Sequence, residues 1–250
     1  MKPALLLAAL GAVLPARSVP AQATPPDPRS WVGERLEYDA KFGFVSLGGA
    51  ELRVVGIDTV RGDSVLHIRF VIQGGNLLYR LHDEWDSWVG LADLTSRRFI
   101  QNLEEGNRRT RNAYEIYPDS GYYRREGVDS LFPTSPQPLD DAAFFYFVRT
   151  VDLTPGRHEF DRYFKPDRNP VVLEVVGRDT VDVPAGRFDC VVVRPVIKGG
   201  GIFKEGAEGR LWISNDEHHR VVQIKSKFFF GALTFRLTRI TRDGSAEATR

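Results

Sequence analysis

The stretch Val-Pro-Ala-Gly-Arg-Phe, Val183 to Phe188, contains two residue types that turn a chain sharply between extended segments. Proline fixes φ and glycine tolerates positive φ, so Pro184 and Gly186 suit a tight connection between two strands. A second signal is Leu-Trp-Ile-Ser-Asn-Asp, Leu211 to Asp216, whose last three side chains can cap their own backbone. Each stretch therefore predicts strand and turn, and a scaffold role.

Apolar and polar residues alternate with a period of two along most of the remaining chain. In Leu36 to Phe42 the apolar side chains fall on every second position. Pro118-Asp119-Ser120-Gly121, between Arg109–Tyr117 and Tyr122–Arg125, is typical of a hairpin turn. About a dozen such strands predict an all-β fold, a single curved antiparallel sheet closed into a barrel or a two-layer sandwich.

One segment departs from the strand pattern and predicts a short helix at about residues 140–150. Asp140 is placed as its N-cap, ahead of Ala142 to Arg149, and the helix ends before Pro155-Gly156. Four consecutive aromatic residues, Phe144 to Phe147, cannot all lie on one stripe of a helix, so we expect the helix to be wedged against the sheet. The aromatic residues either fill the core or line a ligand site.

The N-terminal residues have the pattern of a secretory signal peptide. Met1-Lys2 precedes an apolar run from Ala4 to Leu14, and Ala21-Gln22-Ala23 is a cleavage site. The run is shorter than the roughly 20 residues that span a bilayer, and we predict no membrane-spanning segment. We expect a signal peptide over 1–23, a disordered lead-in over 24–30, a single β-rich domain over 31–242, a tail over 243–250, and a periplasmic or extracellular location.

The net charge excludes some partners. The chain has 34 Lys and Arg against 33 Asp and Glu, and loss of Lys2 and Arg17 with the signal peptide leaves 32 − 33 = −1. This near-neutral balance gives no global electrostatic case for nucleic acid or an anionic membrane, and we predict no nucleic-acid partner. The lone cysteine, Cys190, excludes an intramolecular disulfide and reads as a buried, unreactive thiol.

Six features in order resemble the exported bacterial family known as domain of unknown function 3108. They are Gly33-Glu34 followed by Tyr38, Gly49-Ala50, Leu139-Asp140 before an aromatic helix ending in Arg149, Val183 to Phe188, Leu211 to Asp216, and a closing strand with Gly231 and Leu237. The resemblance covers about Trp31 to Arg242. It implies export and a β-rich domain, and it supplies no catalytic residues. The stretch Glu217 to Val222 departs from the basic residue and proline expected there.

No catalytic motif assembles from the sequence, so we predict no catalytic residues, no metal and no cofactor. His218-His219 are adjacent, and neighbours in an extended segment point to opposite faces. His82 and Glu84 share a strand face, which suits a surface pair better than an acid/base pair. The alternative is an envelope hydrolase or lyase acting on a carbohydrate or ester through Asp83, Glu84 and Asp216, assisted by histidine.

The leading hypothesis is a non-catalytic exported binding or scaffold protein of the cell envelope with an apolar or amphipathic ligand. A structural interaction module is a further alternative, and the candidate partners are a lipid, a glycan or an envelope protein. Arginines of one hairpin could meet an anionic group, although a solvated sheet face explains them as well. The glycine-rich stretch Gly199 to Gly206 reads as a loop over an opening. The candidate ligand-binding residues are Arg109, Arg111, Arg124, Phe144, Tyr146 and Phe203.

Overall fold

Antiparallel strands form one continuous sheet in the computed structural model, which describes residues 26–75, 80–198, 208–228, 231–242 and 245–246. The strands are β1 (Glu34–Phe42), β2 (Val45–Val60), β3 (Asp63–Gly75), β4 (Arg80–Gly90), β5 (Ser96–Glu105), β6 (Arg108–Tyr117), β7 (Tyr122–Arg125), β8 (Leu131–Pro133), β9 (Gly156–Phe160), β10 (Val171–Val183), β11 (Gly186–Val196), β12 (Glu208–Ser214), β13 (Val221–Phe228), β14 (Gly231–Arg242) and β15 (Ser245–Ala246). The helix α1 is Ala143–Phe147, and 3-10 turns occupy Pro28–Trp31, Pro118–Ser120 and Pro166–Arg168.

The strand order follows from short hairpins on both sides of one central pair. The sheet runs from β8 back to β1, then from β14 back to β9, while β15 pairs with β14. The two edge strands, β8 and β9, do not pair with each other in the described ranges. The segments that follow them do meet, because Leu139 N donates to Arg162 O and Phe164 N donates to Leu139 O at 2.9 Å. The predicted all-β fold with one curved antiparallel sheet and one short helix is confirmed.

The two stretches for which the sequence predicts turns, Val183 to Phe188 and Leu211 to Asp216, both contain turns in the structure. Val183 pairs with Gly186 at the end of the β10–β11 hairpin. At the β12–β13 turn, Asp216 Oδ1 accepts hydrogen bonds from the backbone N–H groups of His218 at 2.9 Å and His219 at 3.1 Å. The hydroxyl of Ser214 also donates to Asp216 Oδ1, at 2.8 Å. Side chains of the turn therefore satisfy its backbone, as predicted.

Glycines that suggest strand ends in the sequence lie inside continuous strands. β10 continues through Gly177, where the register with β11 shifts by one residue. β2 continues through Gly48, which lies opposite Gly74 of β3. A Cβ atom at Gly74 would collide with the carbonyl oxygen of Leu47, so the two backbones approach too closely for any side chain. Gly177 therefore marks a bulge, and Gly48 and Gly74 mark a close contact.

The helix fills the space enclosed by the sheet. All five residues of α1 are buried, and they belong to the same hydrophobic cluster as the inner faces of the strands. Asp140 caps the helix as predicted, since its Oδ1 accepts hydrogen bonds from Ala142 N at 3.0 Å and Ala143 N at 2.9 Å. The helical turn is shorter than the Ala142 to Arg149 segment that the sequence suggests. Within the described ranges, no helix is long and apolar enough to cross a bilayer.

Several predictions concern residues outside the described ranges. These are the signal peptide over 1–23, the loop Gly199 to Gly206 with Phe203, and the ends of the tail. Pro28–Trp31, which begins within the predicted lead-in, forms a 3-10 turn with Asp27 Oδ1 accepting from Arg29 N at 2.9 Å. Within the predicted tail, Ser245 and Ala246 pair with the end of β14.

Candidate functional site

A cleft of about 450 Å³ lies between the helix and the inner face of the sheet. Aromatic and aliphatic side chains form most of its wall, and three carboxyl groups and one guanidinium group lie among them. We call it the inner cleft. It is lined by Phe70, Ile72, Asp83, Trp85, Gln101, Leu103, Glu105, Asp141, Phe144, Phe145, Tyr163, Arg168 and Ile197.

Strands β3, β4 and β5 form one wall of the inner cleft, because their alternation and register bring side chains to the same face. Phe70 of β3 lies directly opposite Trp85 of β4, and their rings stack with centroids 5.3 Å apart. Asp83 lies between Ile72 of β3 and Leu103 of β5 in the same cross-strand row. Since directly opposite residues of antiparallel strands point to the same face, these side chains converge on one surface.

The helix supplies the facing wall and a polar end. Phe145 packs on Phe70 with ring centroids 5.1 Å apart. Asp141 Oδ1 accepts a hydrogen bond from the hydroxyl of Tyr163 at 2.8 Å, and its Oδ2 accepts one from Gln101 Nε2 at 3.2 Å. Arg168 Nη1 donates to the Tyr163 hydroxyl at 3.0 Å. A hydrogen-bonded carboxylate, phenol and guanidinium therefore stand beside an apolar surface.

Two carboxyl groups of the inner cleft, Asp83 and Asp141, have raised pKa values. Burial, together with the neighbouring charge of Glu105, raises the pKa of Asp83 from 3.8 to about 6, although the backbone N–H of Glu104 bonds to it. Burial also raises the pKa of Asp141, against the opposing effect of Tyr163 and Arg168. With Glu105, the cleft has three carboxyls and one guanidinium, which favours a neutral or cationic polar group over an anionic one.

The structure separates the two aromatic residues that the sequence proposes for a ligand site. Phe144 lines the inner cleft. Tyr146 is 0% exposed and packs against Trp31, with ring centroids 5.1 Å apart. Successive helical residues point about 100° apart, so Phe144 and Tyr146 face opposite sides of the helix. Tyr146 is a core residue, enclosed on the side away from the cleft.

The three predicted arginines of the β6–β7 hairpin, Arg109, Arg111 and Arg124, lie on the outer face of the sheet. Arg111 and Arg124 line a shallow groove there, which we call the arginine groove. Arg111 Nε lies 3.1 Å from Glu126 Oε2, and Arg124 lies over the ring of Tyr122 at 5.8 Å. Arg109 lies outside the groove, with a side chain 81% exposed and 3.5 Å from Glu104. Two of the three predicted arginines therefore lie in the arginine groove, and one of these, Arg111, has Glu126 as an ion-pair partner.

The three carboxylates of the hydrolase alternative, Asp83, Glu84 and Asp216, do not lie together in the structure. Asp83 points into the cleft, whereas Glu84 points outward and contacts Arg69 at 3.5 Å. Asp216 bonds to the β12–β13 turn at the other end of the sheet. Among the described residues, no group of three His, Cys, Asp or Glu side chains could hold a metal ion.

Cys190 is 1% exposed, and its Sγ lies 3.7 Å from the carbonyl oxygen of Phe188. Burial, with the charges of Asp216 and Asp179, raises the pKa of its thiol to about 12. A thiol with so high a pKa is protonated at neutral pH and is a poor nucleophile. This fits the buried, unreactive role inferred from the sequence.

Of the inner cleft residues, the sequence singled out Phe144 and Phe145 in the aromatic stretch and Asp83 in the hydrolase alternative, and it missed the others. Alternation in β4 and β5 places Trp85 and Leu103 on apolar faces, and this is the signal that could have identified them. Tyr163 and Arg168 lie in the irregular segment between β9 and β10, and the sequence gives neither of them a role in a site. The other missed cluster is on the outer face, where Asp86 Oδ1 lies 2.6 Å from His67 Nε2 and 2.7 Å from Arg69 Nε.

Three solved structures that are similar to this chain share little sequence with it. A β-barrel-like protein of domain of unknown function DUF1849 from Brucella abortus superposes with a TM-score of 0.51 at 8% identity, covering 89% of this chain and 99% of that chain. A candidate lipoprotein from Parabacteroides distasonis has a TM-score of 0.35 at 10% identity, covering 88% of this chain and 99% of that chain. A candidate exported protein with a YmcC-like fold from Bacteroides fragilis has a TM-score of 0.30 at 15% identity, with coverages of 89% and 100%.

The first of these likenesses supports the barrel-like fold and nothing further, because the identity is low. No curated protein matches the chain. The family described as protein of unknown function (DUF3108) matches residues 37–238, which include the inner cleft and nearly the whole sheet. The chain therefore belongs to the DUF3108 family of proteins of unknown function.

Proposed function

We propose that this chain is an exported, non-catalytic binding protein of the cell envelope that holds an amphipathic ligand in the inner cleft. The observation that carries the proposal is an aromatic cleft of about 450 Å³ with one polar end. Small-molecule sites are commonly concave, mostly apolar and of about 300–1,000 Å³, with a few polar groups that orient the ligand. The export pattern of residues 1–23 suggests the compartment.

The chemistry of the walls suggests how a ligand would lie. Its apolar part would contact Phe70, Trp85 and Leu103, which cover the sheet side of the cleft. Its polar group would meet Asp141 and Arg168, whose hydrogen-bonding capacity is only partly used by Tyr163 and Gln101. Lipids and other amphiphiles have this division into an apolar body and one polar group. A neutral or cationic polar group suits the excess of carboxyls.

Filling the inner cleft should weaken ligand binding. Leu103→Trp adds a large ring to the cleft wall, so we expect the affinity for the neutral apolar probe N-phenylnaphthylamine to fall by at least about tenfold. Fluorescence titration of the purified protein measures the change. Native mass spectrometry of the same samples tests whether lipid that copurifies with the unsubstituted protein is lost from the variant.

The matched control adds the same ring to the same strand on the other face. Ile100 lines the arginine groove, so Ile100→Trp should leave probe binding unchanged. Equal loss in both variants would point to a general effect on the fold, and loss only in Ile100→Trp would move the ligand to the arginine groove. Absence of probe binding and of copurified lipid in the unsubstituted protein would contradict the proposal.

A further inference from the structure

The β1–β2 hairpin ends in apolar side chains that project from the sheet. Phe44 is 106% exposed relative to a free residue, Val45 is 62% exposed and Leu47 is 39% exposed. Pairing of β2 with β3 begins only at Gly48, so these three residues have no β3 partner within the described ranges. We call Phe44, Val45 and Leu47 the apolar tip. So much exposed apolar surface at one point is typical of a contact site.

Basic side chains form a row beside the apolar tip. Lys41 of β1 lies opposite Thr234 of β14, Thr234 lies opposite Lys225 of β13, and Lys225 lies opposite Arg210 of β12. We call Lys41, Lys225 and Arg210 the basic row. Opposite residues share a face, and Tyr38 and Ala40 of β1 point inward, so the row lies on the outer face.

The basic row does not stabilise the sheet by itself. Like charges directly opposite each other on neighbouring strands are destabilising, and Lys225 and Arg210 are such a pair. Among the described residues, neither has an ion-pair partner, while Lys41 Nζ lies 3.9 Å from Asp39. An external anion would remove the repulsion. The apolar tip and the basic row are neighbours, because Lys41 lies three positions before Phe44.

We propose that the apolar tip and the basic row dock on an anionic phospholipid bilayer. Phe44 and Val45 enter between the headgroups, and the basic row meets their phosphates. The combination of an apolar insertion with adjacent cations is what an anionic interface requires. Three residues of the inner cleft, Ile72, Asp83 and Ile197, lie near the strand ends that are on the same side of the sheet as the apolar tip. Docking would therefore bring the cleft close to lipid. The docking proposal stands even if the cleft binds no lipid.

The test is cosedimentation of the purified protein with vesicles of phosphatidylglycerol and phosphatidylethanolamine, and with vesicles of phosphatidylcholine alone. We expect binding to the anionic vesicles that weakens as salt is added. Phe44→Ser should lower the partition coefficient by about tenfold, the effect of removing one large apolar side chain from the interface. The double variant Lys225→Gln/Arg210→Gln should lower binding to the anionic vesicles alone.

The control is Ile57→Ser, which removes a 55% exposed apolar side chain from the same strand away from the tip. Its partition coefficient should equal that of the unsubstituted protein. The proposal is overturned if no vesicles bind, if the two serine variants behave alike, or if phosphatidylcholine binds as well as the anionic mixture. It is also overturned if Phe44→Ser leaves vesicle binding intact but dissociates a dimer in light scattering, since the tip would then contact a second copy.

Discussion

Replacing Arg149 by methionine should lower the free energy of unfolding by about 3–5 kcal/mol, because it leaves a buried carboxylate without its main partner. Arg149 is 0% exposed and Glu34 is 1% exposed. Nη2 of Arg149 donates to Glu34 Oε2 at 3.2 Å and to His218 O at 2.9 Å. Its guanidinium also lies over Trp31, 4.9 Å from the ring centroid. Arg149 therefore joins the end of the helix to β1 and to the β12–β13 turn.

Urea denaturation of three variants distinguishes the effect of breaking the buried Glu34–Arg149 pair from the effect of losing one exposed arginine charge. Arg157→Met removes an arginine that pairs with Glu159 while 54% exposed, and it should cost less than about 1 kcal/mol. The double variant Glu34→Gln/Arg149→Met should recover part of the loss, because it removes the uncompensated carboxylate. If Arg149→Met costs no more than Arg157→Met, the buried pair does not stabilise the fold.

The buried pair also predicts the response to acid. Burial by itself raises the pKa of Glu34, but Arg149 and Arg220 outweigh it and the pKa is lowered from 4.5. A carboxyl with a lowered folded pKa stabilises the protein above its unfolded pKa, and this contribution disappears as pH falls through the folded value. Destabilisation by Arg149→Met should accordingly be larger at neutral pH than in strong acid.

Replacing Asp140 by alanine should lower the free energy of unfolding by about 3 kcal/mol near pH 5, since one carboxyl satisfies four donors. Its Oδ1 accepts from Ala142 N and Ala143 N, and its Oδ2 accepts from the hydroxyls of Ser87 at 2.5 Å and Ser96 at 2.7 Å. Asp140 is 0% exposed, so water cannot replace these bonds. Chemical denaturation measures the loss.

Asp140→Asn is the matched control, because it keeps the shape and an acceptor oxygen. Burial raises the pKa of Asp140 from 3.8 to about 6, against the hydrogen bonds from Ala143, Ser87 and Ser96. The native state then binds this proton more tightly than the unfolded state, so stability from this group falls as pH rises from about 4 to about 6. Between about pH 4 and pH 6, the free energy of unfolding of the unsubstituted protein should fall by up to about 3 kcal/mol relative to that of Asp140→Asn. A constant difference between the two would contradict the raised pKa.

Local signals account for the parts of the fold that the sequence predicted well. The alternation from Leu36 to Phe42, the turn at Pro184, and the cap at Asp140 each depend on residues close together in the chain. Gly177 in β10 and Gly48 in β2 show the limit of such local signals, because in the sequence they look the same as glycines at turns. Whether a glycine ends a strand depends on what the neighbouring strand does beside it.

The candidate site was predicted less well, because it combines distant segments. The sequence named Phe144 and Tyr146 as candidate ligand-binding residues beside the alternative of a core role, and the structure places Phe144 at the inner cleft and Tyr146 in the core. The arginines were found as a group, but only register and cross-strand ion pairs separate Arg109 from Arg111 and Arg124. Tyr163 and Arg168 carried no signal, since their role depends on the distance from Asp141.

The sequence by itself determined the all-β class, the strand–turn pattern around Val183 to Phe188, the short capped helix and the resemblance to DUF3108. These properties follow from side-chain alternation and from the backbone limits of proline and glycine, which act over a few residues. Only the tertiary structure decided the inner cleft and the buried pair, in which Glu34 and Arg149 lie 115 positions apart. Contacts at such separations depend on strand register and on how the sheet curls around the helix, which short-range patterns do not encode.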